Sequence, residues 1–180
     1  MLDEAYGDFC DKPHRAELLH SELGERIVIT RTLSKSYSLA GIRLGFSIAN
    51  GDLSRGMRKV KDSYNCDALS LAAGIAALDD QPWMQHNAET IRRTRDRLTL
   101  ALRDLGFHVV DSQANFVWAT HPDGGHRETF GQLKQRRILV RYMRFPGTAA
   151  EDRGQIDGLR ITAGTDEQID RLLDAMRKIA

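Results

Sequence analysis

The chain has 180 residues, 41% hydrophobic and 28% charged, the balance of a globular protein with one domain or two small ones. A net charge of +1 implies no bulk pull toward nucleic acid or an anionic membrane surface, and no apolar run approaches the ~20 residues that a membrane helix needs. Cys10 and Cys66 make neither a metal spacing nor a disulfide framework, and the acidic start Met1-Leu2-Asp3-Glu4 does not read as a signal peptide, so a reducing cytoplasm is the expected compartment.

The first residues read as the end of a buried strand running into a loop. Residues 13–22 carry a helical pattern with Pro13 near its start, Leu18 and Leu19 apolar, and Gly24 as the stop. Arg26-Ile27-Val28-Ile29-Thr30 is a β-branched run without alternation, which predicts a buried parallel strand. Arg43 to Ala49 predicts another strand, and Asn50-Gly51 a turn. Asp52 to Lys61 reads as a helix capped by Asp52. Ala68 to Leu78 is a helix so rich in small residues that plain core is the expected role, and Asp79 to Pro82 is a break.

Trp83 to Leu105 is the longest helical pattern, with Ile91, Leu98, Leu102 and Leu105 at helical spacing and Gly106 at its end. Arg92, Arg93, Arg95 and Arg97 are interleaved with Glu89, Asp96 and Asp104 and lack a stacking set of aromatics, which excludes a nucleic-acid stripe and predicts a solvated face. Strands are expected at 107–110, 115–119, 138–142 and 159–165, with a helix from His126 to Gln135 and a loop from Phe145 to Asp157. Asp166 to Ile179 closes the chain as an amphipathic helix, with Ile169, Leu172, Leu173 and Met176 on one face and Thr165 or Asp166 as its cap. The six histidines show no metal-ligand spacing.

The chemistry concentrates in Arg31-Thr32-Leu33-Ser34-Lys35-Ser36-Tyr37-Ser38-Leu39-Ala40-Gly41-Ile42-Arg43-Leu44-Gly45. Desolvation and a nearby cation both disfavour an ammonium, so a lysine among small residues loses its proton more readily than one in water. A neutral amine can attack an aldehyde. The hydroxyls of Thr32, Ser34 and Ser36 can donate to phosphate oxygens, and Arg43 can clamp the same phosphate with two N–H bonds. Lysine, aldehyde and phosphate together point to pyridoxal 5'-phosphate (PLP). A strand followed by a polar loop is where open α/β sheets place ligands.

Position by position, Thr-Leu-Ser-Lys-Ser-Tyr-Ser-Leu-Ala-Gly at 32–41 resembles the lysine-attachment signature of the fold-type-I, class II PLP-dependent aminotransferases. The flanking residues most resemble its histidinol-phosphate aminotransferase branch. "Asp-Glu-Ala-Tyr" at 3–6, "Ala-Asn-Phe" at 114–116 and "Leu-Arg-Ile-Thr-x-Gly-Thr" at 159–165 are further echoes. The resemblance implies an α/β fold: part of a large cofactor domain with a mostly parallel sheet over 1–82, then a linking helix and a small α/β domain over 83–180. It implies Lys35 as the catalytic lysine and Asp3, Tyr6, Thr32, Ser34, Lys35 and Arg43 as cofactor-binding residues. Asp3 would pair with the pyridine nitrogen and Tyr6 with the phenolic oxygen, while Arg160 would bind the substrate's acid group.

The implied reaction is amino-group transfer from histidinol phosphate to 2-oxoglutarate in histidine biosynthesis, by a homodimer, with no nucleic acid, membrane or metal involved. Threonine-phosphate decarboxylases and aromatic aminotransferases share the motif set and form the alternative. So does a catalytically dead fragment that serves only as a folded or oligomerising domain. The resemblance covers only the second half of the family pattern. The phosphate loop, the ring-stacking aromatic, the asparagine beside Tyr6 and the tyrosine offered to a partner subunit all lie upstream of it. A truncated chain with exposed apolar surface and little transaminase activity of its own is therefore expected.

Overall fold

The computed structural model describes residues 1–12, 16–146 and 156–179. In the N-terminal part β1 (Leu2–Asp3), β2 (Val28–Thr32) and β3 (Gly45–Ala49) form a sheet in the order β1-β2-β3. β1 runs parallel to β2, with Leu2 opposite Ile29 and Asp3 opposite Thr30. β3 returns antiparallel, with Val28 opposite Ala49 and Thr32 opposite Gly45. The described sheet is thus mixed. The connection between β2 and β3 carries only a 3-10 turn at Ala40–Ile42, and without a crossover helix the chain folds back beside its own strand. The pattern predicted as a helix over 13–22 shortens to a 3-10 helix at Ala16–His20, and Pro13, its expected start, lies outside the described residues.

Two helices follow. α1 (Gly51–Val60) is capped by Asn50, whose side chain accepts from the Leu53 N–H at 3.0 Å. Asp52, the expected cap, instead sits in the first turn, where an acid meets the positive end of the helix dipole. α2 (Ala68–Asp79) is capped by Asp67, and hydrogen bonds from the Ser70 hydroxyl and N–H hold its carboxyl below the ordinary value. The expectation of plain core fails for α2: Leu69, Leu71, Ile75 and Leu78 are exposed, while Ser70 and Gly74 are buried. The helix packs through its smallest residue, since a Cβ on Gly74 would lie 2.4 Å from Leu44 Cδ2.

α3 (Gln81–Asp104) starts one residue after Asp80, so the predicted break is a single non-helical residue and Pro82 fits the first turn. The chain divides into two compact units, Met1–Glu89 and Thr90–Ala180, and the boundary falls within α3. The second unit holds a sheet of β4 (His108–Val110), β5 (Phe116–Thr120), β6 (Arg141–Phe145) and β7 (Ile156–Thr162), ordered β4-β5-β7-β6 with every neighbour antiparallel. Val117 and Ala119 lie opposite Ile161 and Leu159 and turn to one face. There they meet Leu98 and Leu102 of α3, Leu133 of α4 (His126–Gln135) and Ile169, Leu172, Leu173 and Met176 of α5 (Asp166–Arg177) in one buried cluster. α5 begins with a full capping box between Thr165 and Gln168.

Two predicted features move. β6 begins at Arg141, not Ile138, because the preceding residues close α4: Arg137 takes φ +58° and the Ile138 N–H reaches back to the Leu133 carbonyl at 2.9 Å. The arginine run on α3 is not all solvated. Arg95 is buried, donates to the Ala114 carbonyl at 3.3 Å and pairs with Asp96 at 3.1 Å. Residues 147–155 of the predicted loop lie outside the described residues.

Candidate active site

The site forms where β1 and β2 end side by side. The ladder continues past β1 through the Glu4 N–H, which donates to the Thr30 carbonyl at 2.9 Å, and so carries the chain toward Tyr6. Asp3 is exposed; its Oδ1 accepts from the Ala5 N–H at 2.9 Å and from the Thr30 hydroxyl at 3.5 Å. Beyond β2 the chain makes a tight loop. The Ser38 N–H donates to the Lys35 carbonyl at 3.0 Å, Ser38 takes φ +56°, and the Leu39 N–H closes back on the Leu33 carbonyl at 3.0 Å.

This loop brings Lys35 to Tyr6: the ammonium lies 5.4 Å from the ring centroid, within cation–π range, and both residues are half-buried. It also brings together Thr32 and Ser34, whose hydroxyls are 3.0 Å apart, with the Ser34 N–H 3.1 Å from Thr32 Oγ1. An amine, a phenol, a carboxylate and a hydroxyl pair are a fitting donor set for an aldehyde, a phenolic oxygen, a ring nitrogen and a phosphate. Arg43, also at positive φ (+55°), is exposed and turns its guanidinium onto the Ala40 carbonyl at 2.9 Å. Ser36 departs from its expected role as a phosphate donor. It is wholly buried and its hydroxyl donates to Asp8 Oδ2.

Asp8 was not singled out from the sequence, and neither was the charged pair it makes. Its other oxygen lies 2.5 Å from Arg31 Nη2, and Arg31 Nη1 is 3.8 Å from Glu4. Asn87 donates to the Ser36 carbonyl at 2.6 Å from α3. The signal available was an arginine inside a β-branched strand, which calls for an acid but does not say which.

In the second unit, Arg160 is half-buried on β7 between Trp118 of β5 and Arg141 of β6. Its guanidinium carbon lies 3.8 Å above the centre of the Phe116 ring, a close cation–π stack. The same strand carries Asp157, 3.2 Å from the buried His126. His126 Nε2 accepts from the His121 N–H at 2.6 Å, and Nδ1 is the ring nitrogen that faces the acid. Burial pushes the Asp157 carboxyl up, but hydrogen bonds from Tyr142 and His126 and the charge of Arg144 outweigh it and hold it below its ordinary value. Among the described residues no group of acids, histidines and cysteines is placed to hold a metal, and no helix is long and apolar enough to cross a membrane.

Residues 1–176 match the family model described as aminotransferase class I and II. The chain is 51% identical over 94% of its length to a histidinol-phosphate aminotransferase of Rhodopirellula baltica, covering 44% of that protein. It is 42% identical over 99% of its length to one from Microcystis aeruginosa, covering 49% of it. Among solved structures, the histidinol-phosphate aminotransferase of Sinorhizobium meliloti in complex with pyridoxal-5'-phosphate superposes with a TM-score of 0.79 at 26% identity, over 99% of this chain and 49% of that one. The chain thus spans about half the length of the curated relatives it matches.

Proposed function

The chain belongs to the aminotransferase class I and II family, and on that premise we propose that its Lys35 holds PLP for amino-group transfer from histidinol phosphate to 2-oxoglutarate. One observation carries the reading: Lys35 sits against Tyr6, beside the Thr32–Ser34 hydroxyl pair, where parallel strands β1 and β2 end. The likeness to histidinol-phosphate aminotransferases supports that choice of substrate.

Bound there, PLP supplies an electron sink for the pair left behind when the α-proton of an amine departs. The chain's own residues supply the rest. Lys35 would hold the cofactor and, once free, would be the group that takes the proton from the substrate α-carbon and gives it to C4′. Asp3 would be the carboxylate that keeps the ring nitrogen protonated, and Tyr6 would donate to the phenolic oxygen. Thr32 and Ser34 would donate to the phosphate, with Arg43 as the cation for the same group. Arg160 receives the substrate's acid group, for which its planar fork is suited. The working enzyme is a homodimer in the cytoplasm.

The test is chemical trapping. After incubation with PLP and reduction with borohydride, mass analysis finds one phosphopyridoxyl group on Lys35 and none on the Lys35→Ala variant. Label scattered over surface lysines, with no preference for Lys35, overturns the reading. Substrate choice is read before reduction: histidinol phosphate added to the PLP-loaded chain lowers the label later trapped on Lys35 more than tyrosine or threonine phosphate does; the reverse order assigns the chain to another member of the family.

A further inference from the structure

We infer that Asp8 is a positioning residue that sets the reach of Lys35, by clamping the segment that carries Asp3 and Tyr6 to the loop that carries the lysine. The inference rests on Lys35 being the reactive amine. Asp8 is buried and uses both oxygens: Oδ1 meets the Arg31 guanidinium at 2.5 Å and Oδ2 accepts from the Ser36 hydroxyl. Arg31 belongs to β2, directly before the loop, and Ser36 follows Lys35 immediately. One carboxylate thereby ties down both sides of the lysine, and Asn87 donates to the Ser36 carbonyl as well. Arg31 also reaches back to Glu4, so the clamp touches the 3–8 segment at two points.

Stability alone does not account for such a cluster. A buried ion pair loses hydration on both partners, and apolar residues of similar size are often as stable. A wholly buried serine hydroxyl likewise needs an acceptor that an alanine would not. What the cluster provides is a fixed geometry: two segments distant in sequence are held in one register, with the amine above the Tyr6 ring. A short directional hydrogen bond does this where apolar packing permits sliding.

The experiment uses the whole chain and two variants. Ser36→Ala removes the tie to the loop and leaves the Asp8–Arg31 pair intact. Asp8→Ala combined with Arg31→Met removes both ends of the Asp8–Arg31 pair together. Each is trace-labelled with acetic anhydride, and mass analysis compares Lys35 with the other five lysines, which act as internal standards. Both variants raise the labelling of Lys35 relative to the others at least threefold, because an unclamped lysine swings into solvent. Trapping of PLP on Lys35 falls at least fivefold in parallel, while near-ultraviolet dichroism stays native. If Ser36→Ala folds and Lys35 labels as in the parent chain, the inference is wrong, whatever happens to PLP. Failure of the parent chain to trap PLP on Lys35 overturns the cofactor reading instead and leaves the labelling comparison to judge the clamp. Should the double variant fail to fold, Ser36→Ala decides alone.

Discussion

Arg160 shows how a neighbour can tune a single side chain. Its guanidinium lies flat on Phe116, and such stacks contribute about 0.5–2 kcal/mol depending on desolvation. Phe116→Leu keeps an apolar side chain but removes the ring face, so on the proposal that Arg160 receives the substrate's acid group, the KM for that substrate in the assembled enzyme is expected to rise roughly three- to tenfold with kcat little changed. Gly158 is constrained on the same sheet: a Cβ there would lie 2.6 Å from Trp118 Cζ2 and 2.8 Å from the Ala119 carbonyl oxygen. Gly158→Ala is expected to cost about 1–3 kcal/mol in denaturant unfolding. At this scale the sequence is readable where the chemistry is local. Thr32, Ser34 and Lys35 stand within one short stretch, and the hydroxyl pair does meet. The partners of Asp8 stand 23 and 28 positions away, and nothing near Asp8 in the chain announces them.

Among the elements, α5 was the most legible, because its cap, apolar stripe and end are all written in neighbouring residues. Thr165→Ala removes the capping box and is expected to lower stability by about 1 kcal/mol, measurable as a shift in the denaturant midpoint at unchanged slope. β6 was less legible. Ile138, Leu139 and Val140 have strand chemistry, but the end of α4 claims the backbone just before them. The Asp157–His126–Tyr142 cluster, which joins α4 to the sheet, gives a pH dependence. Because the folded state holds the Asp157 carboxyl below its ordinary value of 3.8, its contribution is complete above that value. It is lost as pH falls further, through the lower folded-state value. Asp157→Asn should therefore flatten the acid limb of a plot of thermal midpoint against pH below 3.8, with the wild-type limb steeper.

For the molecule as a whole, the two units differ in how completely they cover their own apolar residues. The second encloses a continuous core of helices on an antiparallel sheet, whereas the first leaves Leu69 and Ile75 of α2 at 82% and 63% exposure. Amide hydrogen exchange is thus expected to be slowest in β5, β7 and α5 and much faster in α2. An apolar patch of this kind binds hydrophobic dye, and Leu69→Ser with Ile75→Ser is expected to halve the fluorescence or better while moving stability by less than about 0.5 kcal/mol. Small-residue composition pointed to burial of α2, but composition cannot say whether the covering surface lies within these residues.

The handover from α4 to β6 has a further consequence. Arg137 and Ile138 finish the helix, and Tyr142 must then arrive opposite Leu159 with its ring on the enclosed side of the sheet. The spacer between those points is a ruler with no slack. Shortening it by one residue, for example by deleting Leu139, would offer Met143 to the place of Tyr142 and move Tyr142 to the place of Arg141, on the other face, because adjacent strand residues face opposite ways. The phenol that hydrogen-bonds Asp157 would then point away from it, so an edit at a residue that is itself 79% exposed would reach the buried histidine of α4.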